Sequence, residues 1–448
     1  MNTRELKEAV QKGACDRSFS ALYGGENVER ARERYASAID TFVSIYGPKE
    51  EAFLLSVPGR SEISGNHTDH NHGRVIAASV DCDVIAVAAK EPDSLVRIKS
   101  DGYKEDTVDL QNLDPESYPR FRSCALVAGM CAAFRNDGRQ AGGLTAYTVS
   151  NVLKGSGLSS SAAFEVLVGT ILNHLYNEGR VSPVQIAKDA QWAENVYFGK
   201  PCGLMDQMAC SVGGIITIDF ADNHHPEMAC AVGGFVEIDF RDPAEPVIEK
   251  IDFDLTGKGY DLCIVNTGGN HADLNEDYAA IPAEMKAVAK LFGQEVLRGI
   301  SEEELLQRAP EIREKAGDRA LLRALHFVKE DARIPEIAQA MKKGDLPAFL
   351  AGIRASGESS FKYLQNVFSS VCPKEQGETL ALYVAEKALN SYPVPGACRV
   401  HGGGFAGTMQ AFVPAKYTGE FRKAVDAVMG KGACMVMHVR PIGATKVL

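Results

Sequence analysis

Several features are scarce or missing in this 448-residue chain, and each absence excludes a class of protein. A membrane-spanning helix needs about 18 or more consecutive apolar residues, and no such run occurs. The first residues, MNTRELKEAVQKGACDRSFS, lack the apolar core of a secretory signal peptide. We therefore expect a cytoplasmic protein with no membrane partner.

No pair of cysteines has the C-x-x-C spacing of a metal or redox site, although the chain contains eleven cysteines. Their number is odd, they are scattered singly, and a chain of this length builds a large core without disulfide bonds. We therefore expect free thiols in a reducing compartment. The length itself favours two or three domains, at about 150 residues each.

A dense basic cluster is also missing. Asp and Glu number 59 against 48 Lys and Arg, which gives a formal net charge of −11. Proteins that bind nucleic acids generally carry a strongly basic face. The charge balance therefore argues against nucleic acid as a partner.

Hydrophobic periodicity and turn residues predict an α+β fold. Helices are expected over residues 4–46, 159–177, 183–198 and 276–293, with several polar helices over 301–355. Strands are expected at FLLSVPGR, ending at Pro58-Gly59, at 74–90, at 144–152, in DLCIVNTG and on both sides of HGGGFAG, with a hairpin at Asp101-Gly102. No Pro- or Ser-rich linker marks a boundary, and we divide the chain into residues 1–225 and 226–448.

One segment is duplicated: MACSVGGIITIDFAD (208–222) is followed by MACAVGGFVEIDFRD (228–242). Two copies are too few for a repeat architecture. We interpret the second copy as a local duplication that adds a strand. His224 and His225 lie in the turn between the copies and are expected to be exposed.

A glycine- and serine-rich stretch, KGSGLSSSAA (154–163), lies between a predicted strand and a predicted helix. Glycines let backbone N–H groups approach phosphate oxygens, and the start of a helix favours negative charge. The stretch lacks the G-x-x-x-x-G-K-[ST] pattern of a Walker loop. Taken alone it indicates either an anion-binding loop or simple capping of the helix.

The stretch SGNHTDHNHG (64–73) places three of the ten histidines of the chain within six positions, with an aspartate among them. Its composition is compatible with a metal site, a substrate site or a polar turn. A metal-dependent hydrolase would need further convergent ligands, and the sequence contains no second His/Asp cluster with suitable spacing.

Together, these motifs resemble those of the galactokinase branch of the GHMP small-molecule kinases. PGRSEISGNHTDHNHG is similar to the sugar-binding signature of that family, usually PGRVNLIGEHTDYNxG, and KGSGLSSSAAFEV is similar to its phosphate loop. AENVYFGKPCGLMDQ, HADLNEDY and GACRVHGGGFAG resemble, in the same order, its catalytic segment, a later sugar-contact segment and its third glycine motif. The resemblance covers about residue 52 to the C-terminus, and this order of motifs is far more specific than any one of them.

The resemblance implies a two-lobed fold, with an N-terminal lobe like domain 2 of ribosomal protein S5 and a ferredoxin-like C-terminal lobe. It implies a kinase that transfers the γ-phosphoryl group of ATP to the anomeric hydroxyl of a monosaccharide, galactose first, and we expect a monomer. It also implies residue roles. Asp206 and Arg60 match the catalytic pair, and Ser161 and Glu194 match the Mg²⁺ ligands. The sugar contacts match Asn66, His67, Thr68, Asp69 and Tyr278. The ATP loop matches Gly155, Ser156, Gly157, Leu158, Ser159, Ser160 and Ser161.

The departures from the family pattern cluster at the sugar signature. Asn66 stands where the family has Glu, His70 where it has Tyr, and Glu62 where it has Asn. Outside the signature, Leu153 replaces Pro, His401 replaces Thr, Ala406 replaces Gly, and the arginine pair after Tyr278 is absent. Because an amide can donate a hydrogen bond to a carboxylate, Asn66 also permits a uronic acid such as galacturonate, and another neutral or amino hexose stays possible.

A second class of function is a sugar sensor that binds ATP and sugar without turnover. Such a protein is expected to carry damage in the phosphate loop, for example a lost serine. The phosphate, metal and catalytic positions all match the family pattern here, which favours an active kinase.

Overall fold

The computed structural model describes residues 1–152, 157–200, 202–219, 237–239, 247–251, 253–269 and 274–448. The helices are α1 (Thr3–Gln11), α2 (Asp16–Tyr23), α3 (Val28–Tyr46), α4 (Ser123–Asn136), α5 (Ser160–Tyr176), α6 (Pro183–Ala193), α7 (Met205–Val212), α8 (Asn275–Leu291), α9 (Glu302–Gln307), α10 (Ala309–Lys315), α11 (Asp318–Lys342), α12 (Leu346–Ser359), α13 (Gly377–Leu389) and α14 (Thr418–Met429). The strands are β1 (Phe53–Ser64), β2 (Arg74–Lys90), β3 (Leu95–Ser100), β4 (Asp106–Asp109), β5 (Leu144–Ser150), β6 (Ile215–Asp219), β7 (Glu237–Asp239), β8 (Val247–Lys250), β9 (Tyr260–Asn266), β10 (Ala397–Val400), β11 (Thr408–Pro414), β12 (Cys434–Met437) and β13 (Thr445–Lys446). The predicted α+β class is confirmed.

A large sheet is built around the long antiparallel pair of β1 and β2. Within the described residues its order is β4-β3-β5-β2-β6-β7-β8, and β1 pairs with both β2 and β13. Successive side chains of a strand point to opposite faces. Leu54 therefore packs with the N-terminal helices α1 and α3, whereas Leu55 packs with α4 and α5 on the other face.

Strand β1 does not end at Pro58-Gly59, as the sequence predicted, but runs on to Ser64. The register against β2 shifts between Pro58 and Arg60, which is the irregularity that a proline without an N–H produces inside a sheet. A Cβ on Gly59 would lie 2.9 Å from the carbonyl oxygen of Leu158. The Pro-Gly pair therefore marks a bulge against the phosphate loop, and the strand beyond it carries Arg60.

The second sheet has the order β10-β11-β9-β12, and helices α13 and α14 pack on it. Helices α8 to α11 form a separate apolar cluster around Ile281, Met285 and Phe327. Strand β13 returns the end of the chain to the first sheet, and sheet membership changes between β8 and β9. The division at 225/226 falls outside the described residues and stays a prediction.

Several predicted elements are confirmed, among them α5, α8, β5 and the hairpin of β3 and β4. The predicted helix over 183–198 is α-helical only to Ala193, and Glu194–Phe198 winds as a π-helical turn. Most of the second MAC copy, with His224 and His225, lies outside the described residues. Every cysteine within the described ranges is a free thiol, and no helix there is long and apolar enough to cross a membrane.

Candidate active site

Arg60 and Asp206 form the centre of the site. Arg60 Nε and Nη2 each donate to one carboxylate oxygen of Asp206, at 2.7 Å. Arg60 comes from the strand beyond the bulge and is 6% exposed, whereas the carboxylate, in the first turn of α7, keeps 31% of its exposure. This fork-to-fork pairing fixes the orientation of the carboxylate and leaves it open to a substrate.

The carboxylate of Asp206 is held in its charged form. Burial acts to raise its pKa, but the Arg60 charge, the Arg60 hydrogen bonds and the hydroxyl of Ser159 outweigh burial and lower it. Ser159 donates to the oxygen that also faces Arg60 Nη2. Asp206 is therefore ionised at neutral pH and is a weak base.

The described part of the phosphate loop lies directly beside this pair. Arg60 Nη1 donates to the carbonyl oxygen of Gly157, and the Arg60 amide donates to the carbonyl oxygen of Leu158 at 3.1 Å. Ser159 is left-handed at φ 57° and precedes α5, which begins at Ser160. The start of this long helix therefore lies beside the Arg60–Asp206 pair. Gly155 and Ser156 lie outside the described residues.

Ser161 and Glu194 form a pair of oxygen donors behind the loop. Ser161 Oγ lies 3.4 Å from Glu194 Oε1, and the Glu194 side chain is 3% exposed. Two adjacent ligands of an octahedral Mg²⁺ lie about 3 Å apart, so these oxygens fit that ion after a small adjustment. No group of three or more metal-binding side chains occurs in the described residues.

Three residues of the stretch SGNHTDHNHG (64–73), namely His67, Thr68 and Asp69, lie beside this centre, just after the end of β1. His67 has φ 58°, and its Nε2 donates to the carbonyl oxygen of Gly403 at 3.0 Å. Burial, helped by His70, lowers the pKa of His67 to about 3, so the ring is neutral. Thr68 Oγ1 lies 2.9 Å from the carbonyl oxygen of Gly65 and 2.5 Å from that of Arg74, and its single proton is shared between these two acceptors. Thr68 therefore closes the turn from within.

The carboxylate of Asp69 faces the segment that carries Asp206. A Cβ on Gly203, three residues before Asp206, would lie only 1.9 Å from Asp69 Oδ2, so a larger residue there would displace the Asp69 carboxylate. Asp69 Oδ1 accepts from the amide of His70 at 3.0 Å, and the side chain is 12% exposed. Among the predicted sugar contacts, Asp69 thus places a carboxylate oxygen next to the segment that carries Asp206.

Asn66 lies deeper than the sequence suggested, at 0% exposure. Its Nδ2 donates to Glu62 Oε1 at 3.1 Å and to the carbonyl oxygen of Gly402 at 2.6 Å. Its Oδ1 accepts from Asn366 Nδ2 at 2.7 Å and from Ser360 Oγ at 3.3 Å. Both ends of the amide are therefore engaged by protein groups, and this arrangement leaves no donor for a substrate carboxylate.

Tyr278 packs against the glycine turn formed by residues 401–407. Its hydroxyl donates to the carbonyl oxygen of Gly404 at 2.8 Å, and its ring meets Phe405 edge-on. A Cβ on Gly403 would lie 2.5 Å from the Tyr278 ring. Because Asn66 and His67 bind the same turn, the glycine turn joins the first sheet to α8.

Some residues of the site escaped the sequence reading. His401, noted only as a departure from Thr, is buried between Ser61 Oγ at 3.1 Å and Thr408 Oγ1 at 2.8 Å, just behind Gly157. Arg399 Nη2 pairs with Glu62 Oε1 at 2.9 Å. No local signal marks these partners, because more than three hundred positions separate Arg399 from Glu62.

Two family models match parts of the chain. The model described as GHMP kinases N terminal domain matches residues 125–214, and the Galactokinase galactose-binding signature matches residues 40–90. The chain is 29% identical over 390 residues to a galactokinase of Streptomyces coelicolor, covering 86% of this chain and 91% of the relative. It is 27% identical over 379 residues to a galactokinase of Glaesserella parasuis, covering 82% and 87%.

Among solved structures, the fold is similar to that of Lactococcus lactis galactokinase complexed with galactose. The TM-score is 0.77 at 26% sequence identity, and the match covers 92% of this chain and 99% of the other. The similarity therefore extends over most of the chain.

Proposed function

Because the chain belongs to the galactokinase branch of the GHMP kinases, we propose that it phosphorylates the anomeric hydroxyl of galactose with ATP. The observation that carries this proposal is the Arg60–Asp206 pair at the start of α5. It sets a charged carboxylate, an arginine and a helix N-terminus side by side, as phosphoryl transfer requires.

In this reaction the anomeric oxygen forms a bond to the γ-phosphorus, the bond from that phosphorus to the bridging oxygen breaks, and ADP leaves. We propose that Asp206 accepts the hydrogen bond of the sugar hydroxyl and receives its proton. Since the lowered pKa makes Asp206 a weak base, the proton leaves late, after the bond to ADP has largely broken. Arg60 holds the carboxylate in place and keeps positive charge beside the transferred group.

The loop Gly155–Ser161 is proposed to bind the ATP phosphates, with the amides at the start of α5 facing them. Ser161 and Glu194 would hold Mg²⁺, which supplies charge neutralisation for the β- and γ-phosphates when bound. His67, Thr68, Asp69 and Tyr278 are proposed to form the sugar side, with Asp69 the charged acceptor of sugar hydroxyls. Asn66 would not contact the sugar but would hold these sugar-binding residues in position through its hydrogen bonds to Glu62, Gly402 and Asn366.

Galactose is favoured over a uronic acid because the Asn66 amide is already bound to Glu62 and Gly402. That the enzyme is monomeric and cytoplasmic is proposed from the sequence alone.

A phosphotransfer assay tests the function. ADP release from Mg-ATP is measured with galactose, N-acetylgalactosamine, glucose, arabinose and galacturonate. We expect the highest kcat/KM with galactose, whereas ADP release at background level with every sugar would refute the kinase and favour the sugar sensor.

Asp206→Asn tests the role of the carboxylate and keeps its shape. Loss of a general base lowers turnover by about 10²–10⁴-fold, and we expect ATP binding to be unchanged. A variant that keeps most of its turnover would show that Asp206 has been given the wrong role.

A further inference from the structure

Lys200 is brought into the site by the turn that follows Glu194. The π-helical turn Glu194–Phe198 ends at Gly199, whose left-handed backbone (φ 82°) reverses the chain. The amides of Gly199 and Lys200 both donate to the carbonyl oxygen of Glu194, at 3.0 and 3.2 Å. This closure folds the Lys200 side chain back, so that Nζ lies 3.1 Å from Glu194 Oε1.

The ammonium group lies on the open side of that carboxylate. The Lys200 side chain is 56% exposed, whereas the Glu194 side chain is 3% exposed. The Lys200 side chain ends in an ammonium group, which carries one positive charge. Glu194 Oε1 also lies 3.4 Å from Ser161 Oγ, which places the positive charge directly beside the phosphate loop.

Arg60, the other cation of the centre, is held on three sides by protein groups. Arg60 uses Nε and Nη2 on Asp206, and Nη1 on Gly157. An ammonium group has three donors, and Glu194 is the partner of Lys200 Nζ within the described residues. An ion pair with one exposed partner contributes little to stability, so the fold gains little from this one.

We propose that Lys200 binds the terminal phosphates of the nucleotide and neutralises their charge. This rests on the proposed function, because it takes ATP as the phosphate donor. It assigns a phosphate contact to the turn after Glu194, in addition to the loop before α5.

Calorimetric titration of ATP into the protein in EDTA, without sugar, measures this contact apart from metal and turnover. The variants are Lys200→Met and Lys200→Gln, which remove the charge, and Lys200→Arg, which keeps it. Lys7→Met is the matched control, because Lys7 also pairs with a carboxylate, Asp40, among the N-terminal helices. Melting temperatures establish that each variant is folded.

A charge-assisted phosphate contact is worth at least about 1.4 kcal/mol, so we expect Lys200→Met and Lys200→Gln to raise the Kd for ATP about tenfold or more. The Kd for AMP, which lacks the terminal phosphates, should change less than about twofold. Lys200→Arg and Lys7→Met should bind ATP like the wild type.

If the wild type phosphorylates galactose, and both charge-removing variants bind ATP as tightly as the wild type does, the proposal for Lys200 is wrong and the proposed function stands. If the wild type neither binds ATP nor phosphorylates sugar, both are wrong. An equal loss of affinity for AMP and ATP would also overturn the proposal, because the effect would not lie at the terminal phosphates.

Discussion

Replacing Asn66 by glutamate places a second carboxylate against Glu62 at a site with 0% exposure. In the wild type, Asn66 Nδ2 lies 3.1 Å from Glu62 Oε1. Two like charges about 3 Å apart repel by about 5 kcal/mol at an effective dielectric constant of about 20. Arg399 offsets part of this, but the donated hydrogen bond to Gly402 is also lost, at about 1 kcal/mol.

We therefore expect Asn66→Glu to lower the free energy of unfolding by about 3–5 kcal/mol at neutral pH. With an unfolding entropy of about 2.1 cal/mol/K per residue, this corresponds to about 4 °C in melting temperature. The loss should shrink at low pH, because one carboxylate then takes up a proton. The single tryptophan of the chain gives a fluorescence signal for denaturant unfolding.

The matched control is the exchange Glu62→Asn with Asn66→Glu, which leaves one carboxylate facing Arg399. We expect it to recover at least half of the lost stability. Two results would refute the reasoning: a single variant within about 1 kcal/mol of the wild type, or an exchange variant no more stable than the single variant.

Two further predictions follow from buried charges. Arg60→Met removes the cation that lowers the pKa of Asp206, so the acid limb of the pH dependence of kcat/KM should move to higher pH. Activity at pH 7 should fall about 10²-fold or more. An acid limb that stays in place would contradict the pairing. Burial raises the pKa of Glu378 well above its usual range, so its neutral form is favoured in the folded state, and stability should fall as the pH rises above the unfolded-state pKa. Glu378→Gln should therefore be more stable than the wild type by about 1–3 kcal/mol at pH 8 and lose this advantage by about pH 4. Denaturant unfolding of both proteins at the two pH values measures this difference in stability. An equal difference at both pH values would count against a raised pKa of Glu378.

The sequence predicted the parts of the site that lie within single motifs. The helix beginning beside Ser159 to Ser161 could be read locally, because small hydroxyl residues at a helix start have a direct physical reason. Asp206 and Arg60 were paired only through the family resemblance, since 146 positions separate them.

The rest depended on contacts between distant segments. The sequence predicts a strand end at Pro58-Gly59, because a bulge and a strand end use the same residues. Only the approach of Leu158 in the folded chain distinguishes the two. Asn66 was expected to face the sugar, but its partners Gly402 and Asn366 come from the C-terminal half. Lys200 has no motif of its own, and its position follows from the way the π-helical turn closes on Glu194.

The most direct test of the central claim is the position of the phosphate on the product. Galactose labelled with ¹³C at C1 is incubated with Mg-ATP and the enzyme, and the product is examined by ¹³C and ³¹P NMR. We predict one phosphorylated product whose labelled carbon is coupled to phosphorus through the anomeric oxygen. A phosphate on any other hydroxyl, or inorganic phosphate released with the sugar unchanged, would contradict the account.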